Sequence, residues 1–251
     1  MSTMHATADA SGTHAGTART DDKTRSVARR AGWLYLITFI ASLPTLVLKT
    51  PIKDAHFILG TGSTAGVALA AWLDIVCALA GVGTAVVLWP VIKRHNQTNA
   101  FGFVASRTIE AVLLFVGAVS VFTLITLRTD VAHTAGADNA SLLTAGHTLR
   151  ALHDWSFLVG PGIMPGVNAL LLATVMYRSG LVPRIIPVLG LIGGPLLLIS
   201  ATATMFGVWD QLSIISAVGT APIFFWELSL GCWMAFKGFK PAAVAALEAD
   251  R

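Results

Sequence analysis

Six runs of apolar residues, near 33–49, 66–91, 101–127, 154–177, 185–207 and 212–236, dominate the 251-residue chain. A helix needs about 20 such residues to cross a hydrocarbon layer roughly 30 Å thick. Only 12% of the residues are charged and 55% are apolar, whereas a soluble domain carries about 25% charged residues to cover its surface. Lipid offers no partner to a backbone amide or carbonyl, so a spanning segment must be a helix or part of a closed barrel. No ten-residue alternating pattern points to a barrel. The sequence therefore predicts an all-α fold, a polytopic membrane helix bundle with about six transmembrane helices over residues 31–240. A disordered polar tail is expected at 1–30, because its composition cannot repay the entropy of ordering, and a short C-terminal tail at 241–251. The first apolar run begins at Trp33, too late for a secretory signal, and reads as an uncleaved span.

The formal net charge is +4, but the basic residues sit singly or in pairs between apolar runs. That spacing argues against a nucleic-acid partner and for anionic lipid headgroups as the counter-charge. With the N-terminus inside, Arg19, Lys23, Arg25, Arg29, Arg30, Lys93, Arg94, Arg178, Arg184, Lys237, Lys240 and Arg251 lie on the cytoplasmic side, and Lys49, Lys53, Arg128 and Arg150 lie outside. The bias predicts a plasma-membrane protein with both termini cytoplasmic. Most Trp and Tyr residues fall near span ends. Trp72 and Trp226 do not, and each lies within two residues of an acid, Asp74 or Glu227. They either fill space between helices or shape a pocket beside an ionisable group.

The outer segment 128–153 is expected to form a short helix, capped by Ser141, lying flat on the membrane with Leu142, Ala145, Leu149 and Leu152 on one face. Cys77 and Cys232 both lie in apolar runs, so no disulfide framework or CxxC motif exists. No histidine is placed mid-span, and neither GxSxG nor HExxH occurs. No catalytic residue, metal site or other cofactor is therefore expected.

Ser106-Arg-Thr-Ile-Glu110-Ala, Gly180-Leu-Val-Pro183-Arg184 followed by Gly190-Leu-Ile-Gly193-Gly194, and Trp226-Glu227 ending in Phe236-Lys-Gly238 together give the chain a family character. In their order and placement they resemble the domain-of-unknown-function family 4386, mainly bacterial membrane proteins of about six helices. The resemblance covers roughly residues 27–239. It implies the architecture, and marks Arg107, Glu110 and Pro183-Arg184 as family features, but carries no activity, substrate or cofactor.

Ionisable residues inside a bilayer cost about 2.5–3.5 kcal/mol each on insertion scales, so those that persist face the bundle interior and find partners. The candidates are Asp74, Arg107, Glu110 and Glu227. At 1.5 Å per residue from the predicted cytoplasmic ends, Arg107 lies about 9 Å deep, Glu110 and Asn168 about 13 Å, and Glu227 about 15 Å. Arg107, Glu110, Asn168 and Glu227 are accordingly expected to form an interior polar cluster. One reading is a structural ion-pair knot between spans three and six; the other is a polar site, open to the cytoplasmic side, for an ion, a proton or a small polar head. Asp74 reads as a lone buried acid on the outer half of span two. Gly160-Pro-Gly162 and Pro165-Gly166 break span four, as a kink or a hinge. Glycine faces at Gly62, Gly66, Gly162 and Gly166 allow close helix contacts within one chain or in a homo-oligomer. The function readings that follow are binding or movement of a small solute or proton, and a non-catalytic regulatory, sensing or scaffold role.

Overall fold

The computed structural model describes the backbone of residues 9–211 and 213–249 and the side chains of 24–211 and 213–246. Among the described residues eight α-helices run in order: α1 (Asp9–Leu48), α2 (Ala65–Ile92), α3 (Gln97–Thr126), α4 (Asn139–Val159), α5 (Met164–Ser179), α6 (Ile185–Met205), α7 (Ile214–Phe236) and α8 (Pro241–Ala249). Two short 3₁₀ turns, Thr50–Lys53 and Phe57–Leu59, follow α1, and a π turn, Leu127–Val131, extends α3. Among the described residues there is no strand. Six stretches are long and apolar enough to cross a membrane: Thr24–Leu48, Ala65–Ile92, Gln97–Val131, Asn139–Ser179, Ile185–Met205 and Ile214–Phe236. The chain is a multi-pass membrane protein.

The passes form a closed ring. α1 packs on α2 and α7, α3 on α2 and α5, and α6 on α5 and α7. Large apolar side chains point outward all round it, among them Ile40, Val86, Val119 and Ile199. That surface fits lipid and no aqueous solvent.

Two apolar cores mark the two ends. At the end carrying both termini, Ala28, Tyr35, Leu88, Ile92, Phe103, Leu172, Met176, Leu181, Leu230, Met234, Phe239 and Val244 belong to one buried cluster. At the opposite, far end, Ile52, Phe57, Ile58 and Val67 pack with Val121, Leu124 and Leu142. Arg128 fastens this far-end cap. Its Nη1 and Nη2 donate to the Phe57 and Gly62 carbonyls at 2.7 and 2.9 Å, and its guanidinium stacks on the Phe57 ring. A cation held by carbonyls and an aromatic face keeps its charge satisfied without a carboxylate.

Both expected tails are helical in part. α1 starts at Asp9, within the stretch read as a disordered tail, and Ala28 is already fully buried. α8 occupies the C-terminal tail, with Val244 in the core and the Lys240 amide donating to the Leu181 carbonyl at 2.9 Å. Packing on neighbours supplies what the composition of these segments lacks.

Span four differs most from expectation. The segment read as a surface helix is α4, which continues into the span and meets α5 across a break at residues 160–163. Its cap is Asp138, whose carboxylate accepts from the Ala140 and Ser141 amides, and not Ser141. The buried stripe is Leu142, Gly146 and His153, while Leu152 is exposed. α4 therefore packs on α3 and the 3₁₀ turn at Phe57–Leu59, which gives its apolar face a protein partner where the sequence alone suggested lipid headgroups.

Backbones of neighbouring helices approach closely at several glycines, Gly32, Gly166 and Gly193 among them. A Cβ at Gly32 would lie 2.2 Å from the Ala235 nitrogen, so α1 and α7 touch only because it is absent. At Gly166 a Cβ would meet the Gly194 carbonyl at 3.0 Å, which joins α5 to α6. Of the glycine faces read from sequence, Gly166 makes such a contact, whereas Gly62 faces Arg128 and Gly66 faces Leu48.

Candidate functional site

Four of the sequence-selected residues meet in the middle of the ring. On α3, Arg107 and Glu110 stand three residues apart and therefore on one helix face. Arg107 Nη1 donates to Glu110 Oε2 at 3.0 Å, and Nη2 donates to Glu227 Oε1 on α7 at 2.6 Å. Asn168 on α5 donates from Nδ2 to the same Glu110 Oε2 at 2.6 Å, and its Oδ1 accepts from the Ser106 hydroxyl. The fork of one guanidinium thus serves two carboxylates on different helices, a geometry a single ammonium cannot match. Arg107 also lies over the rings of Tyr35 and Phe103, at 5.2 and 5.7 Å. Its Nε is buried without a hydrogen-bond partner in the protein.

A cavity of about 140 Å³ adjoins the cluster, lined by Arg107, Glu110 and Glu227 with Thr38, Ser42, Cys77, Leu114, Pro161 and Pro165. Thr38, Ser42 and Leu114 lie farther from the termini than the cluster does, so the space extends toward the far end. Toward the termini the cluster abuts the packed side chains of Leu88, Phe103, Leu172, Leu230 and Met234. At the termini end, where one of the two sequence readings put an opening, these side chains form an apolar layer. A bundle whose termini bring in two extra helical segments can pack that end more fully.

Asp74 is not brought to the cluster, and it is not alone. Its carboxylate lies 2.5 Å from Lys49 Nζ at the end of α1. Lys49 is itself buried and sits 5.1 Å from the centre of the Phe157 ring, on whose plane His153 stacks at 6.1 Å. The side chain read as snorkelling out of the membrane turns inward instead, to a carboxylate that would otherwise be buried without a counter-charge. Trp72, beside Asp74 in sequence, is exposed toward the lipid side, whereas Trp226 is buried against Gly190 and fills space between helices.

Sequence reasoning missed Ser106, Tyr35, Lys49 and His153. Ser106 and Tyr35 carried no depth signal, since hydroxyls and phenols are common in membrane helices. Lys49 did carry one: it is a base on the same half of the bundle as the unmatched Asp74. His153 was placed outside the membrane only because span four was begun at residue 154.

The chain matches the model of the family described as "Domain of unknown function (DUF4386)" over residues 30–238. It belongs to that family, and the six-pass helical bundle is the architecture through which its motifs are placed. No curated protein and no solved structure matches it.

Proposed function

We propose that the protein binds and moves a proton or small monovalent cation through the cluster of Arg107, Glu110, Asn168 and Glu227, in the plasma membrane with both termini cytoplasmic. The observation that carries this reading is the cavity beside the cluster together with its charge. Two carboxylates face one guanidinium, which leaves an excess of one negative charge in low-dielectric surroundings. A proton or a cation neutralises it, and the cavity gives that species somewhere to arrive. The broken pass between α4 and α5 supports the reading, because Pro161 and Pro165 line the same space and Pro165 has no amide to give the Pro161 carbonyl.

The test is ion flux into sealed vesicles carrying the purified protein, with an internal pH dye or a monovalent-cation dye. Flux above that of protein-free vesicles is expected, with return to background for Glu227→Gln and Glu110→Gln variants that keep their helical content and unfolding temperature. Background flux for the parent protein overturns it. A scaffold or regulatory role is favoured by one observation, that Arg107 is paired on both arms and ties α3 to α7; under that role the same variants lose stability and no flux exists to lose.

A further inference from the structure

Three cavities lie end to end between the cluster and the far end of the bundle. The first is the space beside Arg107, Glu110 and Glu227, bounded by Pro161. The second, about 230 Å³, shares Pro161 and continues past Gly162, Ser200, Thr204, Ser216 and Thr220 to Phe157 and Gln211. The third, about 100 Å³, shares Phe157 and Gln211 and ends among Thr45, Lys49, Lys53, His153 and Asp154. The shared residues belong to the last turn of α4, the break that follows it and the connection before α7.

Polar atoms along this line are buried and unpaired by protein. Ser200 Oγ, Thr204 Oγ1 and His153 Nε2 have no hydrogen-bond partner, and Ser200 and His153 are more than nine-tenths buried. An unmet donor or acceptor in such a place is costly unless water reaches it. Pro165 adds another acceptor, since it has no amide to give the Pro161 carbonyl. A row of hydroxyls, an imidazole nitrogen and a freed carbonyl is the lining that a file of water needs.

We infer that this line is a hydrated route by which water and protons from the far face reach Glu110 and Glu227, with His153 and the Lys49–Asp74 pair at its mouth. It rests on the proposed role of the cluster and adds the side of access. The termini end is closed by the apolar core around Leu88, Phe103, Leu230 and Met234, so in this conformation the acids communicate with one face only.

Cys77 lines the cluster cavity and serves as a native reporter. In a Cys232→Ala background, silver ion is applied to either face of sealed, uniformly oriented vesicles, and protected thiol is read by labelling after denaturation. Ser200→Cys and Thr204→Cys, each in a chain lacking both native cysteines, report on the middle cavity, and Cys232→Ser supplies the background if the Cys232→Ala chain folds poorly. Reaction at least tenfold faster from the far face is expected at all three positions. Equal rates from both faces, or faster reaction from the termini face, overturns the route. Proton flux measured on the same vesicles decides the cluster's role separately: one-sided silver access without flux keeps the route and removes that role, and flux without silver access does the reverse.

Discussion

Arg107 Nη2 and Glu227 Oε1 lie 2.6 Å apart although 120 positions separate them in sequence. The contact closes α3 onto α7 across the ring, and because Arg107 also holds Glu110, loss of the guanidinium strands two carboxylates at once.

Replacing Arg107 by lysine keeps the charge but not the fork. One ammonium reaches one carboxylate, so Arg107→Lys is expected to cost about 2 kcal/mol, or about 4–8 °C in Tm. Thermal unfolding in detergent checks it; an unchanged Tm means the second arm contributes nothing.

The Lys49–Asp74 pair predicts that replacing both partners costs less stability than replacing one. Asp74→Asn leaves an ammonium buried without its carboxylate and is expected to lower stability by about 3–5 kcal/mol. Joint replacement, Lys49→Met with Asp74→Leu, removes both desolvation costs and is expected to recover most of that loss. Denaturant titration of the parent and the two variants measures both numbers.

Gly32 and Gly83 both lie at helix contacts but meet different neighbours. A Cβ at Gly32 strikes the backbone of Ala235, and one at Gly83 meets only the Leu34 side-chain tip at 3.2 Å. Gly32→Ala is expected to destabilise by about 3 kcal/mol or more, as overpacking against a fixed helix does. Gly83→Ala stays within about 1 kcal/mol of the parent, since Leu34 can move. Comparing the two unfolding curves separates close backbone contact from simple helix propensity.

Outside the membrane, Asp138 caps α4. A hydrogen bond from the Ser141 hydroxyl, then those from the Ala140 and Ser141 amides, hold its carboxyl below the ordinary aspartate value of 3.8. A lowered folded-state value means the cap's contribution is complete above pH 3.8 and is lost as the pH falls through the depressed value. The Ala140 and Ser141 amide resonances are expected to shift together in that acid window, and to show no such step in Asp138→Ala.

The passes were legible because lipid turns composition into geometry: long runs with almost no charge have one solution, a helix. Depth counting also brought Arg107, Glu110, Asn168 and Glu227 to one height, and the structure joins them through hydrogen bonds. The α4 surface was not legible, because its polar sequence takes its partner from α3, which lies far from it in helical pattern though close in space. Nor was the direction in which the cluster opens. Cavities arise where packing fails, and the gap beside Pro161 depends on how two proline-bearing segments meet their neighbours.

The central claim is that the acids of α3 and α7 face Arg107 in the interior and do not point at lipid. A double-mutant cycle with Arg107→Leu and Glu227→Leu, read by equilibrium unfolding in lipid or detergent, tests it most directly. The account predicts a coupling of about 1–3 kcal/mol between the two sites. Additivity within about 0.5 kcal/mol would contradict it.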